Sequence, residues 1–176
     1  MTNIILIGMR GSGKSSLGKI VAELAKMDFM DTDQLIEAKA NKSIPEIVGQ
    51  HGWDHFRKLE AEVIQELNPQ NSVISTGGGV ILNPQNTIKL KQLGTVVYLE
   101  ATPEVLAERT KNSDRPVLKE GLTLEQELAQ LLEERQNLYH QAADITINVN
   151  HNSEDKQKDR QSKAELIIQM VNLLSS

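Results

Sequence analysis

An apolar run, Ile4-Ile5-Leu6-Ile7, leads directly into Gly8-Met9-Arg10-Gly11-Ser12-Gly13-Lys14-Ser15. This is a buried strand followed by GxxxxGKS, the nucleotide phosphate loop. The pattern constrains the fold because each part has a mechanical task. The glycines allow tight turning and close backbone approach, so that successive N–H groups can surround phosphates. Lys14 is placed for the β- and γ-phosphates, and the Ser15 hydroxyl for Mg²⁺. Helical periodicity follows at once, with Leu17, Ile20, Val21 and Leu24 on one face between Ser15 and Lys26. The loop therefore opens a helix whose N-terminus favours anions. A nucleoside triphosphate is implied. What accepts the phosphoryl group must be read elsewhere.

The remaining chain alternates short apolar runs with helical patterns. Strands are expected at Phe29–Thr32, Val73–Ser75, Thr95–Leu99 and Ile145–Val149. Helices are expected at Gln34–Ala40, from a capping box at Ser43-Ile44-Pro45-Glu46, from about Trp53 to Leu67, after Asn83-Pro84 through Leu90, from Thr102-Pro103 to about Lys111, from a second capping box at Thr123 to about Tyr139, and at Ala164–Leu174. Asn150 to Ser162 is strongly polar and reads as a surface loop. This alternation indicates an α/β, three-layer fold with a parallel sheet, and ligands beyond the carboxyl ends of its strands. One domain over residues 1–176 is expected.

Composition narrows the function. A formal charge of −5 argues against a broad nucleic-acid surface. The absence of cysteine removes disulfides, thiolate nucleophiles and cysteine metal sites. No pair of histidines has zinc-ligand spacing. No apolar stretch reaches transmembrane length and no basic leader precedes one, so a cytoplasmic protein without a membrane partner is expected.

Several charged residues fall at strand ends. Asp31 could hold Mg²⁺ or simply cap a helix or turn. Asp33 lies one side-chain alternation further, toward the same cleft if extended geometry persists; its alternative is to cap the helix beginning near Gln34. Arg57 and Glu60 share a helix face, either as an oriented anion site or as a surface ion pair. Gly77-Gly78-Gly79 leaves backbone open to a ligand, or acts as a hinge. Arg115, in Asp114-Arg115-Pro116, could neutralise charge during transfer. Arg135 reads alone as part of a solvated face, and Arg109 could stack on a base. Met9, Arg10 and Ser12 are less constrained by the phosphate-loop pattern.

In this order, Gly8–Ser15, Asp31-Thr32-Asp33, Phe56-Arg57-x-x-Glu60, Gly77-Gly78-Gly79, Asp114-Arg115-Pro116 and Glu134-Arg135 with Tyr139 after it, the chain resembles the shikimate kinase family from about Asn3 to Val149. The resemblance implies a nucleoside monophosphate kinase-like fold with a five-stranded parallel sheet in the order 2-3-1-4-5. It implies ATP- and Mg²⁺-dependent phosphorylation of shikimate to shikimate 3-phosphate, a step toward chorismate and the aromatic amino acids. Gly11, Ser12, Gly13, Lys14, Ser15, Ser16 and Arg109 would hold the nucleotide, with Ser15 and Asp31 serving the metal, Asp31 through water. Asp33, Arg57, Gly78, Gly79 and Arg135 would hold shikimate. Lys14, Asp33 and Arg115 would be catalytic. An acceptor-binding region at about 32–62 and a mobile lid at about 112–123 would flank the site, and a monomer is expected. Rival readings are another small-molecule kinase of this fold, such as a gluconate or nucleotide kinase, and a nucleotide-dependent regulatory protein.

Overall fold

The computed structural model describes residues 3–113, 116, 118–119, 121–150 and 155–174. Its strands are β1 (Asn3–Ile7), β2 (Asp28–Asp31), β3 (Ser72–Ser75), β4 (Gly94–Glu100) and β5 (Ile145–Asn148). Its helices are α1 (Lys14–Ala25), α2 (Thr32–Ala40), α3 (Ile44–Glu66), α4 (Pro84–Leu93), α5 (Pro103–Thr110), α6 (Leu124–Ala142) and α7 (Lys156–Leu174), with a short 3₁₀ turn at Val80–Leu82. The sheet order is β2-β3-β1-β4-β5, and every pairing is parallel. This is the order the family resemblance implied. Among the described residues, no helix is long and apolar enough to cross a membrane.

β1 is central because every residue in it is buried, as a strand covered on both faces requires. α1 packs along β1, β2 and β3 and against α7, while α4 and α6 pack on β4. The layering places the carboxyl ends of β1, β2 and β3 along one rim. A smaller apolar cluster, Ile36, Ile44, Ile47, Phe56 and Val63, joins α2 to α3 beside that rim. Burying Phe56 alone is worth roughly 1.5–3 kcal/mol, so the region at 32–62 carries its own local support.

Both capping boxes form, at Ser43/Glu46 and Thr123/Gln126. The two helices expected between residues 43 and 67 are one run broken at Gly52, whose φ of 79° interrupts the helical backbone. Two expectations change. The polar stretch ending at Ser162 is not all loop, because α7 begins at Lys156. Its first turns are stabilised by the i,i+4 pair Asp159–Lys163 (2.7 Å), and Lys163 Nζ also donates to the Asn150 carbonyl. In addition, α2 starts at Thr32, so extended geometry ends at Asp31. Asp33 therefore neither continues the strand nor caps the helix but lies within its first turn; Asp31 is the cap, as its alternative reading had it, accepting from the Asp33 N–H at 3.0 Å.

Candidate active site

The phosphate loop crosses from β1 to α1. Gly11 and Gly13 hold φ values of 82° and 90°, in the left-handed region that other residues rarely enter. Gly11 also lies against α5, where a Cβ would come within 2.7 Å of Thr110 and 2.9 Å of the Leu106 carbonyl. Lys14 is buried, and its ammonium donates to the carbonyls of Gly8 (2.8 Å) and Met9 (2.9 Å). These contacts fix it beneath the loop. Ser15 Oγ donates to Asp31 Oδ2 at 2.6 Å and lies 3.1 Å from Ser75 Oγ, so the first turn of α1 and the ends of β2 and β3 meet at one oxygen cluster. Thr76, by contrast, donates to the buried Leu6 carbonyl and serves the sheet. Ser16 is exposed and donates to the Gly13 carbonyl.

This loop forms the floor of a cavity of about 680 Å³. Gly11, Ser12, Gly13, Lys14, Ser15 and Ser16 all line it, as does Arg109. Arg109 donates to the Val149 carbonyl at 2.7 Å and to that of Gly11 at 3.4 Å, which ties α5 to the end of β5. Burial lowers its pKa, helped by nearby Arg160. Arg160 and Lys163 of α7 also border this cavity, so the closing helix forms part of its wall.

A second, smaller cavity adjoins the first. Asp33, Arg57, Gly78, Gly79 and Arg135 all line it, although they come from α2, α3, the turn after β3, and α6. Arg57 pairs with Glu60 at 2.7 Å. Glu60 is only 1% exposed, which excludes an ordinary surface ion pair. Burial raises the Glu60 pKa against the opposing pull of Arg57. The Arg57 guanidinium lies over Phe56 and Trp53, 5.2 and 5.6 Å from their ring centroids, in cation–π geometry. Gly79 faces it directly, and a Cβ there would overlap the guanidinium.

Arg135 is buried, contrary to its reading as part of a solvated face. It belongs to α6, one turn before Tyr139. The fully buried Tyr139 stacks on Tyr98 (centroids 4.9 Å apart) and donates its hydroxyl to the Gly78 carbonyl. The triglycine turn is therefore held rather than hinged. Burial pushes the Tyr139 pKa up and raises that of Tyr98 to about 12, so both hydroxyls stay protonated. Among the described residues Glu60 Oε1 and Arg135 Nε are buried without a hydrogen-bond partner, beside the cavity, as polar atoms awaiting a polar ligand would be.

Arg10 was undervalued by the loop pattern. Its side chain lines both cavities and pairs with Glu127 at 2.9 Å. The pattern leaves that position free, so nothing in the spacing points to it. Arg115 lies outside the described residues.

A parallel sheet in this order, a phosphate loop after its central strand and an adjoining cavity rich in arginine and carboxylate define a phosphate-loop kinase of the nucleoside monophosphate kinase-like class. Comparison with known proteins sharpens the assignment. The family model described as shikimate kinase matches residues 10–171, and the chain belongs to the shikimate kinase family. A shikimate kinase of Caldanaerobacter subterraneus is 45% identical over 151 residues, covering 85% of this chain and 87% of that one. Shikimate kinase 2 of Photorhabdus laumondii is 40% identical over 157 residues, covering 87% and 89%. A structure of shikimate kinase from Acinetobacter baumannii in complex with shikimate superposes with a TM-score of 0.89 at 37% identity, covering 99% of this chain and 94% of that one. A gluconokinase from Sinorhizobium meliloti, at 16% identity and a TM-score of 0.54, shares the fold alone.

Proposed function

We infer that the chain transfers the γ-phosphoryl group of ATP to a hydroxyl of shikimate, giving ADP and shikimate 3-phosphate. The observation that carries this reading is the junction of the two cavities. Asp33, Gly78 and Arg10 line both, so a donor on the phosphate loop and an acceptor beside Arg57 would meet at Asp33.

Each residue then has a distinct task. Arg57 and Arg135 take the acceptor's carboxylate, for which a planar guanidinium offers paired donors. Asp33 accepts a hydrogen bond from the attacking hydroxyl and aligns it with phosphorus. Gly78 and Gly79 let the acceptor approach the backbone. Lys14 and the loop N–H groups neutralise charge on the donor, and Ser16 and Arg109 complete the nucleotide's surroundings. Arg115 supplies a further positive charge by the family resemblance. The transfer is direct and in line, and its acceleration comes from alignment and charge neutralisation.

The oxygen cluster suits Mg²⁺. Ser15 Oγ and the Asp31 carboxylate are hard donors, and Mg²⁺ is commonly held by one or two such groups together with phosphates and water. Bound there, the ion would offset charge on the phosphates; Ser15 would contact it directly and Asp31 through water. We read the whole chain as one kinase domain, with 32–62 holding the acceptor and 112–123 closing over it. A monomer suffices, because one chain lines both cavities.

The test is ADP production from Mg²⁺-ATP with and without shikimate, alongside a panel of other hydroxy acids and nucleotides. Strong, selective stimulation by shikimate with formation of its 3-phosphate is the expected result. Stimulation by another acceptor, or none despite ATP binding, would overturn the assignment.

A further inference from the structure

Glu127 lies in the first turn of α6, where the helix dipole favours a negative charge. It is almost completely buried, and both carboxylate oxygens are engaged. Oε2 pairs with Arg10 at 2.9 Å. Oε1 accepts from the Leu118 N–H at 2.9 Å. Arg10 in turn donates to the Pro116 carbonyl at 3.4 Å. Pro116 and Leu118 form one wall of the acceptor cavity, while Arg10 belongs to the phosphate loop and borders both cavities. One buried carboxylate thus connects the acceptor wall to the donor loop.

The energetics argue against a role in stability alone. A buried ion pair often adds little net stability, because desolvation offsets the attraction. Its two-sided hydrogen bonding does fix geometry. Among the described residues the buried Arg10 Nε has no hydrogen-bond partner, so the side chain is not saturated by Glu127 and Pro116.

We propose that Glu127 is a positioning residue that sets the acceptor wall relative to the phosphate loop through Arg10, and so favours transfer to the acceptor over transfer to water. This rests on the reading of the chain as a kinase acting on shikimate. Glu127 touches neither substrate; it acts through the Arg10 fork and the Leu118 amide. A loosened wall would bind the acceptor less well and admit water to the donor phosphate.

Glu127→Gln keeps the shape and an acceptor for Leu118 but removes the charge facing Arg10. Arg10→Lys keeps the charge but lacks the fork that reaches Glu127 and Pro116 together. Steady-state kinetics on the full chain should show KM for shikimate raised about tenfold by Glu127→Gln, with KM for ATP within about twofold of wild type. ADP should exceed phosphorylated acceptor in the variant and equal it in wild type. Arg10→Lys should shift the same two readouts, and the double variant should be non-additive. A purely structural glutamate would lower the melting temperature or active fraction and leave both KM values and the product ratio unchanged. That result, or an additive cycle, overturns the proposal. Should Glu127→Gln fail to fold, Arg10→Lys reads the same link from the loop, and an unchanged product ratio there also overturns it. A wild-type chain without shikimate-dependent ADP release would instead overturn the functional reading, and this inference with it.

Discussion

The donor and acceptor halves of the site are built differently. The donor half is contiguous: residues 8–13 form the turn between β1 and α1 and residues 14–16 open the helix, so its geometry follows from neighbours in sequence. The acceptor half is assembled from four separate places, Asp33, Arg57 with Glu60, Gly77–Gly79, and Arg135 with Tyr139. The first carries chemistry common to a large class of nucleotide-binding proteins. In the proposed reading the second selects what receives the phosphoryl group, and it exists only once α2, α3 and α6 have packed around the end of β3.

Lys14→Ala gives the largest expected effect, because it removes a buried charge from the donor half. We expect kcat to fall by about 10²–10³-fold or more, with the melting temperature changed far less than the rate. Rapid-quench measurement of product formation checks this. A variant retaining near wild-type turnover would remove Lys14 from the chemistry and weaken the distinction between the halves.

Two glycine substitutions sharpen the contrast. Gly8 has φ of 146°, and a Cβ there would meet the Leu99 carbonyl at 2.7 Å. Backbone cannot yield easily, so Gly8→Ala should cost about 1–3 kcal/mol in strain and lower activity toward both substrates. Gly79→Ala instead places its Cβ against the end of a flexible arginine. Arg57 has to move, which leaves the backbone in place but strains its pairing with the buried Glu60. KM for shikimate should rise about tenfold through a weakened charge-assisted contact, while KM for ATP holds nearly constant and the urea midpoint falls less than in Gly8→Ala. Equal destabilisation by both substitutions would show that the acceptor half is as rigidly fixed by backbone as the donor half.

The same contrast explains what the sequence made legible. β1, the phosphate loop and both capping boxes depend on interactions within a few residues, so spacing alone located them. Arg135 was different. Its neighbours Glu133 and Glu134 are exposed, and helical pattern alone made it another solvated charge; only the packing of α6 beside the triglycine turn buries it. Arg10 occupies a position the loop pattern leaves open, and its partner Glu127 lies more than a hundred residues away. Asp31 and Asp33 were read as alternate positions on a strand because the Thr32 side chain gives no sign that helix begins there. The early start of α7 was hidden for a related reason: a polar run reads as loop unless the buried Asp159–Lys163 pair is known. The order of the motifs, supplied by family resemblance, grouped Asp33, Arg57, Gly78, Gly79 and Arg135, which spacing could not do and which line one cavity.

Glu60→Gln gives the smallest expected effect and separates stability from binding within the acceptor half. Burial raises the folded-state pKa of Glu60 above its ordinary value of 4.5, and nearby Asp33 adds to the rise while Arg57 opposes it. The folded protein therefore holds this proton more tightly than the unfolded chain. The associated stability is present at acid pH and is lost as pH rises through the folded pKa. Glutamine carries no such proton, so the variant should gain stability relative to wild type as pH moves from 4.5 toward neutrality. It should also lose the charge that orients Arg57, raising KM for shikimate by about threefold to tenfold with kcat nearly unchanged. Thermal melts of both proteins across that pH range, paired with kinetics at neutral pH, check the two expectations separately. Wild type gaining on the variant as pH rises would mean that Arg57 outweighs burial at Glu60, and that the pair contributes to the stability of the fold as well as to the orientation of the arginine.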